Sequence, residues 1–342
     1  MPFLTPTGRS DRSTPHRSPA AGLPVARITV AVMLLVLALT GCSVRLDTPP
    51  PPVPTPDDTE QARAALAEQT ETLVTLADAA GGEQGADQDG ENADGSGQGT
   101  ATDPEVAAEL AAIAAASEEQ LAALGGLWTP PPRPDDPSPT PTVQPTATPQ
   151  DVLAALAEAS TQVQEAVGES FWDAETATLL ASIAVYRDGA LARLADALGT
   201  SAPTPPEPSG DLPAELTAAS APLCRTLDGL GYVYEVQAAR SDGDQRAQAA
   251  TQAEINRALA EQVAVHGDYD GTADDPRQAS YAVGEDLNET ITRWQSELLP
   301  AWLALIGPAA PADRPVLLTQ ARAAAALAPP PAEMAFPGLQ AD

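Results

Sequence analysis

The 342-residue chain has no lysine, only two histidines and two cysteines, and aromatic residues make up 4% of it. Each shortage removes a class of function. Without Lys there is no Schiff-base nucleophile, no attachment point for pyridoxal and no phosphate-loop lysine. Two cysteines cannot build a disulfide framework. Positive charge is scarce too: 17 basic residues, all Arg, face 48 acidic ones, for a formal net charge of -31. Such a surface repels nucleic acid and anionic headgroups, so no nucleic-acid partner is expected.

What is plentiful points to helices. The apolar fraction is 43% and Ala, the best helix former, dominates it. Sheets favour branched and aromatic side chains instead. The length suits about two domains, and 36 Pro and 24 Gly punctuate them.

Arg9, Arg12, Arg17 and Arg27 precede an apolar run from Ile28 to Leu39. A basic start, a short apolar core and small residues before a cut make a secretory signal peptide. The run has about a dozen residues, short of the roughly 20 that span a bilayer. Leu39-Thr40-Gly41-Cys42 closes it and resembles the lipobox of bacterial lipoproteins. That resemblance implies cleavage before Cys42, a diacylglyceryl group on its thiol, and tethering at the extracytoplasmic face of the cell membrane. Loss of residues 1–41 removes four cations and Asp11, so the net charge falls by three to -34. His266 is then the one remaining His, and Cys224 has no intramolecular partner. Residues 42–58, with Pro at 49–52, 54 and 56, read as the lipidated Cys and a Pro-rich tether of roughly 45 Å.

Apolar spacing predicts four helices over 59–199. One runs from Thr59 to Ala80 on Leu66, Leu73 and Leu76. The next runs from the Asp103-Pro104 start to Gly125-Gly126, a third from Asp151 on Val152, Leu156, Val163 and Val167, and the longest to Gly199 on Leu179, Ile183, Tyr186, Leu194 and Leu198. None can bury its face alone, so they predict an N-terminal helical bundle. The acidic stretch 81–102 and the Pro/Thr-rich stretch 129–149 are expected to be disordered, and 200–211 is a linker. From 212 to 342 a second bundle is expected. Its helices run to Arg240 with a kink or stop at Pro222, from Asp244 to His266 on Ile255, Leu259 and Val263, from Gln278 to Ile306 with a kink at Pro300, and from Pro315 to Leu327. The fold class expected is all-α, two helical bundles joined by Pro-rich linkers.

Tyr232-x-Tyr234, Ala238-Ala239-Arg240, Ala279-x-Tyr281 and Phe336-Pro337-Gly338-Leu339 together resemble the ferritin-like domain of unknown function of actinobacterial proteins, many of them lipoproteins. Leu124-Gly125-Gly126-x-Trp128 is similar to what often precedes it. The resemblance covers about 212–342 and implies a four-helix fold without an established activity. A ferritin-like di-iron site takes two Glu and two Glu-x-x-His pairs on facing helices, which one mature His cannot supply. Where that family often carries Glu-His and His-Arg pairs, this chain reads Leu227-Asp228 and Ile255-Asn256-Arg257. No cofactor and no catalytic residue is therefore expected.

The candidate metal carboxylates are Asp228 and Glu235, which flank the tyrosine pair, and Glu285 and Glu289, one turn apart. Oxygen ligands could take a hard cation, yet a chain this acidic puts carboxylates on every solvated face, and all four are expected to be at least partly solvated. Tyr232, Tyr234, Trp294 and Trp302 could line a pocket, although aromatics at helical spacing more often fill a core. His266 before Gly267 suits a helix C-terminus, and Cys224 beside Leu223 and Leu227 suits a buried hydrophobe. Asn92-x-Asp94-x-Ser96-Gly97 with Asp103 partly matches a calcium loop, with Asn in the first place. The expected function is that of a membrane-anchored lipoprotein, a non-enzymatic scaffold or binding module of the cell envelope with an unidentified envelope protein or ligand as partner. The alternative is a metal-binding ferritin-like protein or oxidoreductase.

Overall fold

The computed structural model describes residues 55–82, 103–128, 146–202, 204 and 212–339. The leader, Cys42, Asn92 to Gly97 and most of the three expected linkers lie outside the described residues. Among the described residues every regular element is helical, and no helix is long and apolar enough to cross a membrane.

Four long helices come first: α1 (Asp58–Gly82), α2 (Pro104–Ala123), α3 (Pro149–Val167) and α4 (Ala174–Ala197). Local chemistry sets their starts. The Asp103 side chain caps α2 by accepting from the Glu105 amide at 2.9 Å. Thr148 and Asp151 form a reciprocal capping box at α3, and Asp173 accepts from the Thr176 amide at 2.7 Å to start α4. The helices close a ring: α1 packs on α2 and α3, and α4 on α2 and α3.

The second half holds a short 3-10 turn (Ala218–Ser220), α5 (Ala221–Arg240), α6 (Gly243–His266), α7 (Leu287–Ser296), α8 (Leu298–Ile306) and α9 (Arg314–Leu327). Three expected elements change. Residues 212–217 are not helical, because Pro222 takes the first turn of α5, where its missing N–H is no loss. The helix expected from Gln278 begins only at Leu287, where the Asp286 carboxylate accepts from the Asn288 and Glu289 amides at 2.8 and 3.2 Å. It also breaks after Ser296, ahead of Pro300: the proline ring clashes with the carbonyl four residues back and offers no N–H to it. Finally, Ile255 is 51% exposed. The inward face of α6 is Ala249, Ala253, Asn256, Ala260, Val263 and Ala264, a thin surface that lies close against α5.

Two apolar clusters fill the interior of the described helices: one gathers Leu73, Leu110, Ile113, Leu156 and Leu194 of the first four helices, and the other reaches across both halves. The latter joins Leu66, Val163, Trp172 and Ile183 to Leu223, Trp302, Leu317 and Ala324, and residues Pro56–Asp342 cluster as one compact unit. The reason lies in α4, where the whole stretch from Leu180 to Arg187 is buried. A helix buried all round belongs at the centre of a larger body. Helices α8 and α9 pack on its far side. Where α8 ends, a Cβ on Gly307 would stand 2.5 Å from the Ala174 carbonyl, so the approach requires glycine. Arg314 is 5% exposed and donates to the Glu169 carbonyl at 3.2 Å and the Gly307 carbonyl at 3.4 Å.

The C-terminal Phe336-Pro337-Gly338-Leu339 straps the two halves together. Ser182 donates to the Pro337 carbonyl at 2.8 Å and Gln120 to the Ala335 carbonyl at 3.1 Å. Gly338 has φ +76° and sits where a Cβ would meet Leu303 at 2.7 Å.

Candidate functional site

The polar centre of the second half is Asp228, on the buried face of α5. It is 4% exposed. One carboxylate oxygen, Oδ2, accepts from the Tyr281 hydroxyl at 2.6 Å and the Gln278 amide at 3.1 Å. The other accepts from Nη1 of Arg257 on α6. The same guanidinium grips Glu235, Nε to Oε1 at 3.0 Å and Nη2 to Oε2 at 3.1 Å. These carboxylates hold Arg257 above its ordinary value, Glu235 through its hydrogen bonds foremost. Burial, then the hydrogen bond to Asp228 and its charge, push the Tyr281 phenol well above its ordinary value.

Two glycines in α5 make room for this arrangement. A Cβ on Gly231 would stand 2.8 Å from the Arg257 stem, and one on Gly229 would stand 2.9 Å from the Trp294 ring. Tyr281 meets Trp294 edge-on at 5.5 Å, and Tyr232 stands 5.9 Å from Tyr281. A second knot holds the loop that carries Gln278 and Tyr281. Arg277 donates to Asp275 and Asp270, each at 2.6 Å, and to Glu261 on α6. The Arg277 hydrogen bonds hold Asp275 below the usual carboxylate range.

The sequence candidates therefore separate. Asp228 and Glu235 meet, but through a guanidinium that supplies the positive charge a metal would bring. The expectation that Asp228 is partly solvated is corrected: three donors satisfy its carboxylate inside the fold. Glu235, Glu285 and Glu289 are exposed, and among the described residues no three His, Cys, Asp or Glu come together in a way that could hold a metal ion. Trp294 is 8% exposed and lines the cleft described next, whereas Tyr232 and Tyr234 pack partly buried against the core, Tyr234 accepting from Gln295 at 3.1 Å. Trp302 is core, 2% exposed. His266 ends α6, its carbonyl accepting from the Leu216 amide at 2.8 Å. Burial pushes the Cys224 thiol up to about 12, so it is protonated at neutral pH and a poor nucleophile.

Beside this cluster a cleft of about 800 Å³ opens between the first turns of α5, the 276–282 loop and α7. Arg225, Thr226, Gln278, Arg293 and Glu297 supply its polar lining, Pro222, Pro276 and Trp294 much of the rest. Of these only Trp294 is among the sequence candidates; Arg225, adjacent to Cys224, and Arg293 give no periodic signal. A smaller hollow of about 370 Å³ lies along α4 and α9. Its two arginines are already paired, Arg322 with Asp188 and Arg193 with Glu109. Comparison of the chain with protein-family models, curated proteins and solved structures finds no match to any of them.

Proposed function

We propose that this chain is a lipid-anchored extracytoplasmic protein whose helical body serves as a non-enzymatic binding module or scaffold of the cell envelope. The observation that carries the reading is the stretch Ile28–Cys42, an apolar run of signal-peptide length closed by Leu-Thr-Gly-Cys and followed by a Pro-rich leash. A binding role is supported by the wide cleft beside Asp228. The groups of the second half best suited to acid, base or nucleophilic chemistry are committed to structure: Cys224 is buried, His266 closes a helix, and Tyr281 is bound to Asp228.

The ferritin-like reading of 212–342 belongs to the same proposal. Four rods support it: α5, α6, the broken α7–α8 and α9. Helix α6 counts against a closed four-helix bundle, because α5 is the one described helix on which it packs extensively. Arg257 on Asp228 favours a scaffold over a metalloprotein. Two acyl chains suffice for stable attachment, at about 0.8 kcal/mol per buried CH₂. Cys42→Ala should therefore move the protein from the membrane to the soluble fraction or stall its maturation. A variant that is processed at the same site and stays on the membrane would sink the anchoring.

A further inference from the structure

We propose that the cleft beside Asp228 binds a small organic oxyanion, a phosphate or carboxylate on an apolar body, through Arg225 and Arg293. The first ground is an imbalance of pairing. Carboxylates outnumber arginines 48 to 17 in the sequence, and nearby Arg277 alone takes three of them. Yet among the described residues the Arg225, Arg240 and Arg293 side chains make no ion pair or hydrogen bond, and two of these three line the same cleft. A guanidinium left free in so acidic a protein presents a planar fork of donors suited to a carboxylate or phosphate.

The second ground is the rest of the lining. Thr226 is 4% exposed, and among the described residues its hydroxyl makes no hydrogen bond, nor does the Gln278 side chain. Both can donate to an oxyanion. Glu297 is the one carboxylate of the lining, so the cleft carries a net positive charge within a strongly negative molecule. Pro222, Pro276 and Ala282 give apolar walls for the body of the ligand. The back wall is fixed in advance: Tyr281 is tied to Asp228 and packed on Trp294, which fills the notch at Gly229. A cleft of this volume lies within the range of small-molecule sites.

This inference rests on the binding half of the proposed function. It is tested on purified protein, so its failure is separate from that of the Cys42 anchoring test. The full chain in detergent is titrated calorimetrically at low salt with four probes: phenyl phosphate, benzoate, inorganic phosphate and glycerol 3-phosphate, the last as the headgroup unit of a phospholipid. Phenyl phosphate is expected to bind saturably at one site and more tightly than inorganic phosphate. Arg225→Gln and Arg293→Gln should each weaken it about tenfold, the loss of one charge-assisted contact. Arg240→Gln, outside the cleft, should leave it unchanged. Both cleft arginines are exposed, so an unaltered melting temperature verifies the fold of each variant. Glycerol 3-phosphate binding as tightly as phenyl phosphate identifies a lipid headgroup as the source, and weaker binding identifies a soluble anion. No saturable heat with any probe, or equal affinity in the Arg225→Gln/Arg293→Gln double variant, overturns the proposal.

Discussion

Removal of Arg257 tests the interior of the second half. The Asp228 side chain is 6% exposed and the Arg257 side chain 32%. Breaking a buried ion pair by deleting one partner costs about 3–5 kcal/mol, because the other charge stays buried and uncompensated. A third of Arg257 already faces water, and water can follow into the space it vacates, so about 2–3 kcal/mol is expected for Arg257→Met. At roughly 2 °C per kcal/mol for a body of this size, the melting temperature should drop by about 4–6 °C. Asp228→Asn keeps one acceptor for Tyr281 and should cost about 2 kcal/mol. The double variant should be more stable than the sum of the singles by at least about 1 kcal/mol, since the two side chains touch. Thermal melts of the four proteins, followed by circular dichroism at one pH and salt concentration, supply the cycle. Additivity within about 0.5 kcal/mol would refute the pairing as a source of stability.

Other consequences are equally direct. Gly229→Ala gains about 1 kcal/mol of helix propensity but drives a Cβ to 2.9 Å from the Trp294 ring, so a net loss of about 1–3 kcal/mol is expected in denaturant melts. Gly189→Ala meets only the Nη1 end of the Arg193 side chain, at 3.1 Å, and should be neutral or stabilising by up to about 1 kcal/mol. Asp275, Asp173 and Asp151 are held below their ordinary value of 3.8 by hydrogen bonds they accept. Their contribution is complete above that value and is lost as pH falls through the lower folded values, because the unfolded chain then binds more protons. The melting temperature should therefore decline below pH 4, less steeply in Asp275→Asn. Incubation with Fe(II), Mn(II) or Zn(II) followed by dialysis should leave no stoichiometric metal. A tight site in the presence of free metal at 100 Kd would instead raise stability by about 2.7 kcal/mol, and that result would favour the ferritin-like metalloprotein.

Much of the fold is legible in the sequence where a terminus carries its own chemistry. Asp103-Pro104, Gly125-Gly126 and Ser241-Asp242-Gly243 mark helix ends that the structure places within a residue or two. Legibility fails where small residues do the packing. Large apolar side chains put Ile255 on the core face of α6, but the alanines on the opposite side make the contact with α5. The helical pattern also runs on through Tyr281 and past Ser296, although an Asp cap and a proline cut it at both points. In α4 the stripe is visible and the burial of its other sides is not, so the shared core goes unseen. At the candidate site, Asp228 and Glu235 stand out in the sequence, but their link through Arg257 depends on the register between α5 and α6, which no local pattern fixes. One signal is present: Gly229 and Gly231 sit in the middle of a helix, where each costs about 1 kcal/mol against Ala unless something must come close. Two side chains do, Trp294 and Arg257.

The most direct test of the proposed anchoring and localisation is the mass of the mature N-terminus. Arg45 lies three residues after Cys42, so trypsin releases a short peptide from protein extracted with detergent from membranes. A peptide Cys42-Ser43-Val44-Arg45 that carries a diacylglyceryl group on the thiol is the expected result. An unmodified Cys42, or a mature chain that begins at any other residue, would contradict it.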